Sequence, residues 1–188
     1  MKPFHGPDGD AALLAWWLDE LTEAEANELE EHLFACDECA ARLKDLLGLR
    51  DSVKQALLDA RFATAVSPGF LRQIRESGLR LREYRVPAGG SVACTIAPGD
   101  DLVVSRLEAS LAGVRQLDLI FDDGGTQHRA AHIPFDAASG EVTVIPPVAV
   151  IRGWKSATQR MRLVAVNLGA ERVIAEYTFN HSAWDGES

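Results

Sequence analysis

One stretch restricts this chain more than any other: Glu31-His32-Leu33-Phe34-Ala35-Cys36-Asp37-Glu38-Cys39-Ala40, at the junction of two helical patterns. The i, i+4 spacing sets His32 and Cys36 on one face of a helix, and the Cys-x-x-Cys turn brings two sulfurs within reach of one ion. Three soft or borderline donors then converge, which is the inner part of a tetrahedral zinc site. A redox Cys-x-x-Cys pair, or two ordinary helix cysteines, are the other readings of the same letters.

The 188 residues suffice for one medium domain or two small ones. No apolar run approaches the length of a membrane span, and Met1-Lys2-Pro3-Phe4-His5 lacks the apolar region of a secretion signal. A cytoplasmic protein with no membrane segment is expected. The cysteines agree with a reducing compartment, because Cys94 stands alone beside the Cys36/Cys39 pair.

Charge is distributed unevenly. The first fifty residues hold twelve acidic side chains against four basic ones, within a net charge of -9. Such a head repels a phosphate backbone, so no direct nucleic-acid contact is expected through it. It suits a basic protein partner, or serves solubility alone.

Four helices are expected before the chain changes character. In the first, about Asp8–Glu20, Leu14, Trp17, Leu18 and Leu21 follow helical spacing and define a core stripe. Leu13 and Trp16 fall off that stripe and are candidate partner contacts. Thr22-Glu23-Ala24-Glu25 is a capping box that starts the second helix, which carries Leu29, His32, Leu33 and Cys36 on one face. A third helix is expected over Asp37–Phe62. Ser67-Pro68 reads as the cap and first turn of a fourth, whose arginines Arg72, Arg75, Arg80 and Arg82 make it a basic linker or partner helix.

From Tyr84 the period turns from helical to alternating. Strands are expected at Ser91–Ile96, Leu102–Leu107, Val114–Asp122, Gln127–Asp136, Glu141–Ile145, Val148–Arg152, Met161–Leu168 and Glu171–Phe179. The intervening clusters, such as Pro98-Gly99-Asp100, Asp122-Asp123-Gly124-Gly125 and Asn167-Leu168-Gly169, are turn formers. The predicted fold class is α+β multidomain. A small zinc-bound helical bundle with its linker helix occupies 1–83, and an all-β antiparallel sandwich or jelly roll occupies 84–188.

Residues 1–60 resemble the zinc-containing anti-sigma domain that sequesters extracytoplasmic-function sigma factors. The matching text is Ala11–Glu20, the capping turn Leu21–Glu25, and Glu31-His32-Leu33 leading into Cys36-Asp37-Glu38-Cys39. In that family a His or Cys ahead of the first helix completes the zinc shell, and His5 occupies that place here. The resemblance thus implies Zn2+ on His5, His32, Cys36 and Cys39. It also implies an extracytoplasmic-function sigma factor as partner, and regulation of transcription by its release under stress. Some members carry a cupin barrel as the signal-receiving module, and the second domain is similar in length and β content. The His-x-His pair of metal-binding cupins is missing.

The same residues allow two other functions. The β-domain could be a small cupin-like metalloenzyme using His128, His132, Asp122, Asp123 or Glu141, although His128 and His132 on one strand would be about 13 Å apart. It could also bind a ligand beside a zinc-stabilised interaction module. The zinc shell closed by four protein donors offers no open position for chemistry, so the expected role is non-enzymatic.

Overall fold

The computed structural model describes residues 4–48, 50–59, 61, 63–122, 125–167 and 170–186. The chain divides into two compact units, 1–56 and 57–188. The expected turn centres at 123–124 and 168–169, and Phe62, lie outside the described residues.

The first unit contains α1 (Pro7–Trp17), α2 (Glu23–Ala35) and α3 (Asp37–Gly48), and α4 (Arg50–Leu58) runs across the division. The capping box forms as expected. The Thr22 hydroxyl accepts from the Glu25 amide at 3.4 Å, and the Glu25 carboxylate accepts from the Thr22 amide at 3.1 Å. Two of the unpartnered amides at the start of α2 are thereby satisfied. Phe4, Leu13 and Leu29 form the buried cluster, with Trp16, Leu21, Leu33, Leu43 and Leu46 packed around it.

The face of α1 differs from expectation. Leu13, predicted as a surface contact, is 2% exposed, whereas Leu14, predicted as core, is 40% exposed. The cause is local composition. Leu13-Leu14-Ala15-Trp16-Trp17 is apolar all the way round, so its period has no phase of its own, and contact with Phe4 and Leu29 sets the rotation.

The second unit begins earlier than 84. β1 (Thr64–Val66) and β2 (Leu81–Val86) flank α5 (Pro68–Glu76), and they are followed by β3 (Ser91–Cys94), β4 (Leu102–Glu108), β5 (Leu117–Asp122), β6 (Gln127–Ala130), β7 (Glu141–Ile145), α6 (Val148–Ile151), β8 (Ser156–Asn167) and β9 (Ala170–Ser182). One sheet has the order β1-β7-β4-β2 and the other β3-β9-β8-β5-β6. Because β1 and β2 are members of the first sheet, the boundary predicted at 83/84 moves to 56/57.

The sheets form an open sandwich and not a jelly roll or barrel. They are also mixed, since β2 pairs parallel with β4 and β3 parallel with β9. Between them Val86, Leu107, Val142 and Val144 of one sheet meet Leu119, Phe121, Met161, Leu163, Tyr177 and Phe179 of the other. The alternation of β4 explains the layering. Leu107 faces this core, while Leu102 and Val104 face Leu71 and Ile74 of α5 on the opposite side of the sheet. The basic helix is therefore a covering layer, with Ser67 Oγ accepting from the Phe70 amide at 3.2 Å as its N-cap.

Val148–Arg152, expected as a strand, is the short helix α6 followed by a turn. Pro146 and Pro147 precede it, and a proline has no amide to offer a sheet ladder.

Candidate metal centre

The capped helix α2 ends at Ala35, Cys36 is extended, and α3 starts at Asp37. That one-residue break turns Cys36 and Cys39 toward His32 of the last turn of α2. Cys39 is fully buried, and its Sγ lies 3.3 Å from His32 Nε2. His5 arrives from the segment before α1, with its Nδ1 3.8 Å from Cys39 Sγ. The rings of His5 and His32 stand edge to face, 5.4 Å apart at 82°. Donor atoms of His5, His32, Cys36 and Cys39 all lie within 4.8 Å of one another.

These distances can be tested against zinc chemistry. Zinc binds histidine nitrogen at ~2.0–2.1 Å and thiolate sulfur at ~2.3 Å, so tetrahedral donors sit about 3.3–3.8 Å apart. The separations of His32 and His5 from Cys39 fall in that range, the four donors together spread to no more than 4.8 Å, and the His2Cys2 set is of a structural zinc type. The arrangement fits Zn2+. As a thiol Cys39 titrates above the ordinary cysteine range, through burial first and then the hydrogen bond and charge of Cys36. A thiolate at this depth needs a cation beside it.

Three residues outside the donor set position His5. Gly9 lies in α1 where an added Cβ would come 1.9 Å from the Phe4 carbonyl oxygen. Only glycine admits that approach of the N-terminal segment. Arg42 Nη2 donates to the Gly6 carbonyl at 3.0 Å and pairs with Asp10, tying the same segment to α3. Sequence spacing gave no sign of this; the one available hint was a glycine inside a helical pattern.

Residues 10–40 match the profile of a protein family described as "Putative zinc-finger". Over those residues the chain is similar to that family. The matched stretch contains His32, Cys36 and Cys39 and begins after His5, so the place of His5 among the donors rests on geometry. It also falls within the stretch whose residues resemble the anti-sigma zinc domain. No curated protein matches the chain. Among solved structures, the N-terminal domain of phage TP901-1 ORF48 is similar over 56% of this chain and 98% of its own, at 10% identity and a TM-score of 0.38. That likeness is too slight to carry an argument.

The outer surface of the helical unit corrects one of the two predicted partner contacts, Leu13. Leu13 is core and cannot meet a partner. Trp16 is half-buried against the core cluster, and its indole N–H donates to Glu30 Oε1 at 2.9 Å. The large apolar side chains that do face outward are Leu14, Phe34 at 92% exposure, and Leu47. Phe34 stands between His32 and Cys36 in sequence, on the side of α2 away from the stripe. A phenylalanine off a complete stripe was the signal that could have found it.

The β-unit offers no comparable donor set among the described residues. His128 lies on β6, which ends at Ala130. His132 lies beyond it with φ 56 and gives its backbone N–H to Asp118 at 3.0 Å. Asp122 pairs with Gln127, Glu141 is bridged by Arg85 and Arg106, and Asp123 lies outside the described residues. No helix among the described residues is long and apolar enough to cross a membrane.

Proposed function

We propose that this protein is an anti-sigma factor that sequesters an extracytoplasmic-function sigma factor in the cytoplasm and releases it on a stress signal. The observation that carries the reading is the His2Cys2 donor set, three of whose members, His32, Cys36 and Cys39, lie in a stretch that matches a zinc-finger family and resembles the anti-sigma zinc domain. Zinc acts as a staple, because three short helices with a small buried cluster gain folding energy from a metal. The partner surface is the outer face of those helices, where Leu14, Phe34 and Leu47 are exposed among acidic residues. An exposed aromatic in such a setting has the character of a binding hot spot, and the acidic surround steers a basic partner.

The role is regulatory and non-catalytic, since four protein donors leave zinc no open position. The β-unit receives the signal. Cys94 lies on β3 of that unit, and burial raises its thiol to about 11, which disfavours a thiol switch through it.

Co-purification tests the reading. The full chain, expressed with a sigma factor encoded beside its gene, is expected to form a complex and to silence transcription from that factor's promoter. Phe34→Ala is expected to weaken the complex at least tenfold without loss of zinc. A sigma factor that remains active and unbound in the presence of the zinc-loaded protein contradicts the proposal.

A further inference from the structure

α5 covers the first sheet over Leu102, Val104 and Ile145, and beside that contact lies a cleft of about 350 Å³. Pro68, Leu71, Arg72 and Arg75 recur at helical spacing, so one side of α5 brings both arginines to it. On the sheet, Arg85 of β2 lies directly opposite Arg106 of β4, and Arg106 opposite Thr143 of β7. Opposite residues in a ladder share a face, and like charges side by side there cost stability. Phe135, Asp136 and Ser139, between β6 and β7, complete the lining. The volume is that of a small-molecule site.

Carboxylates hold these guanidiniums without exhausting them. Glu83 accepts from Arg75 and, at 3.1 Å, from Arg106 Nε. Burial alone would raise the pKa of Glu83, but the hydrogen bond and charge of Arg75, with Arg106, hold it below its usual range. Glu141 accepts from Arg106 Nη1 at 3.0 Å and from Arg85 Nη2 at 3.3 Å, and Glu108 Oε1 lies 3.5 Å from Arg85 Nε. A guanidinium has five N–H donors in a rigid fork. Arg75 Nε and Nη1, Arg85 Nη1 and Arg106 Nη2 thus have no protein acceptor among the described residues.

The lining also defines what fits. Four arginines face two acidic side chains, Asp136 and Glu141, a surplus of two positive charges in a chain of net charge -9. Asp136 is already engaged by the Ala138 and Ser139 amides, and Glu83 and Glu108 touch the arginines from outside the lining. Arginine is the base throughout, and its planar fork matches carboxylate and phosphate oxygens. Val66, Leu71 and Phe135 add an apolar wall, which a bare inorganic ion cannot use. The first turn of α5 holds no acidic residue and begins at Pro68 on the cleft, so the helix dipole adds to the same field.

We propose that this cleft binds a small organic molecule with two negative charges on carboxylate or phosphate oxygens. The oxygens meet the unclaimed donors of Arg75, Arg85 and Arg106, and the carbon part lies on Val66, Leu71 and Phe135. The site belongs to the β-unit and stands whether or not the helical unit binds a sigma factor.

Calorimetric titration of the full zinc-loaded chain tests the proposal. Succinate represents the carboxylate class and phenyl phosphate the phosphate class, both doubly charged at slightly alkaline pH. Saturable one-to-one binding of at least one is expected, and the tighter of the two names the class. Succinamide, neutral and similar in shape, and inorganic phosphate, which has no carbon part, are each expected to bind about tenfold more weakly or worse. Arg72→Gln and Arg85→Gln replace exposed side chains, so circular dichroism is expected to show the fold retained while each lowers the affinity about tenfold. Absence of saturable binding by both organic anions overturns the proposal. So does succinamide or inorganic phosphate binding as tightly as the better organic anion, or unchanged affinity in both variants.

Discussion

The buried cluster of the helical unit is built on Phe4, Leu13 and Leu29, and its best-buried polar residue is a metal-donor cysteine. The β-unit buries two faces of one sheet, against a second sheet through Leu107, Leu163, Tyr177 and their neighbours, and against α5 through Leu102, Val104 and Ile145. A unit of the first kind closes on a metal, whereas one of the second kind folds on apolar area. The difference teaches where each unit is vulnerable.

Removing zinc should break the comparison most visibly. Structural zinc contributes on the order of 10 kcal/mol of apparent binding energy in small domains. Chelation is therefore expected to expose the amides of α2 and α3 to fast hydrogen exchange while β8 and β9 keep their protection. Equal loss of protection in both units would show that zinc holds more than the helices. The converse experiment is Leu163→Ala, at a fully buried position between the sheets. It is expected to cost about 3 kcal/mol of β-unit stability in denaturant titration and to leave zinc content unchanged.

Asp118 offers a smaller effect with a defined pH dependence. It is 2% exposed, and burial alone would raise its pKa. The His132 backbone N–H, the Arg129 guanidinium and Gln116 outweigh burial and hold the carboxyl below its usual range. A carboxyl lowered on folding stabilises above its unfolded pKa and loses that contribution as pH falls through the lowered value. Asp118→Asn should cost about 2 kcal/mol at neutral pH, with the difference from the native chain shrinking as the solution is acidified. A constant difference down to strongly acidic pH would assign the loss to packing.

Gly9→Ala sharpens the account of His5. Alanine in a helix interior ordinarily stabilises by up to ~1 kcal/mol over glycine. Here the added Cβ would displace the Phe4 carbonyl, and His5 with it. Zinc affinity is expected to fall about tenfold, the scale on which residues that orient metal ligands act. Competition with a zinc-binding dye measures it, and an unchanged affinity would remove His5 from the donor set.

What could be read in the letters depended on whether the deciding interactions were local. The capping box at Thr22–Glu25 and the spacing of His32, Cys36 and Cys39 act within a few residues, and each forms as its chemistry dictates. The start of the helix at Pro68 was equally legible from Ser67-Pro68, but its end was not: it stops at Glu76, Arg80 lies beyond it, and Leu81 and Arg82 belong to β2. β1 was not. Three residues carry little periodicity, and Thr64–Val66 becomes a strand by pairing with β7, far along the chain. The parallel pairing of β3 with β9 is likewise a long-range choice. The phase of α1 was hidden by its apolar run, and the arginine cleft was hidden because Arg72 and Arg75 join Arg85 and Arg106 only when α5 packs on the sheet.

Metal content of the purified full chain is the decisive measurement for the His2Cys2 site. About one zinc per chain is expected, lost in the Cys36→Ser, Cys39→Ser double variant together with sigma-factor binding. Full retention of zinc in that variant would contradict the site.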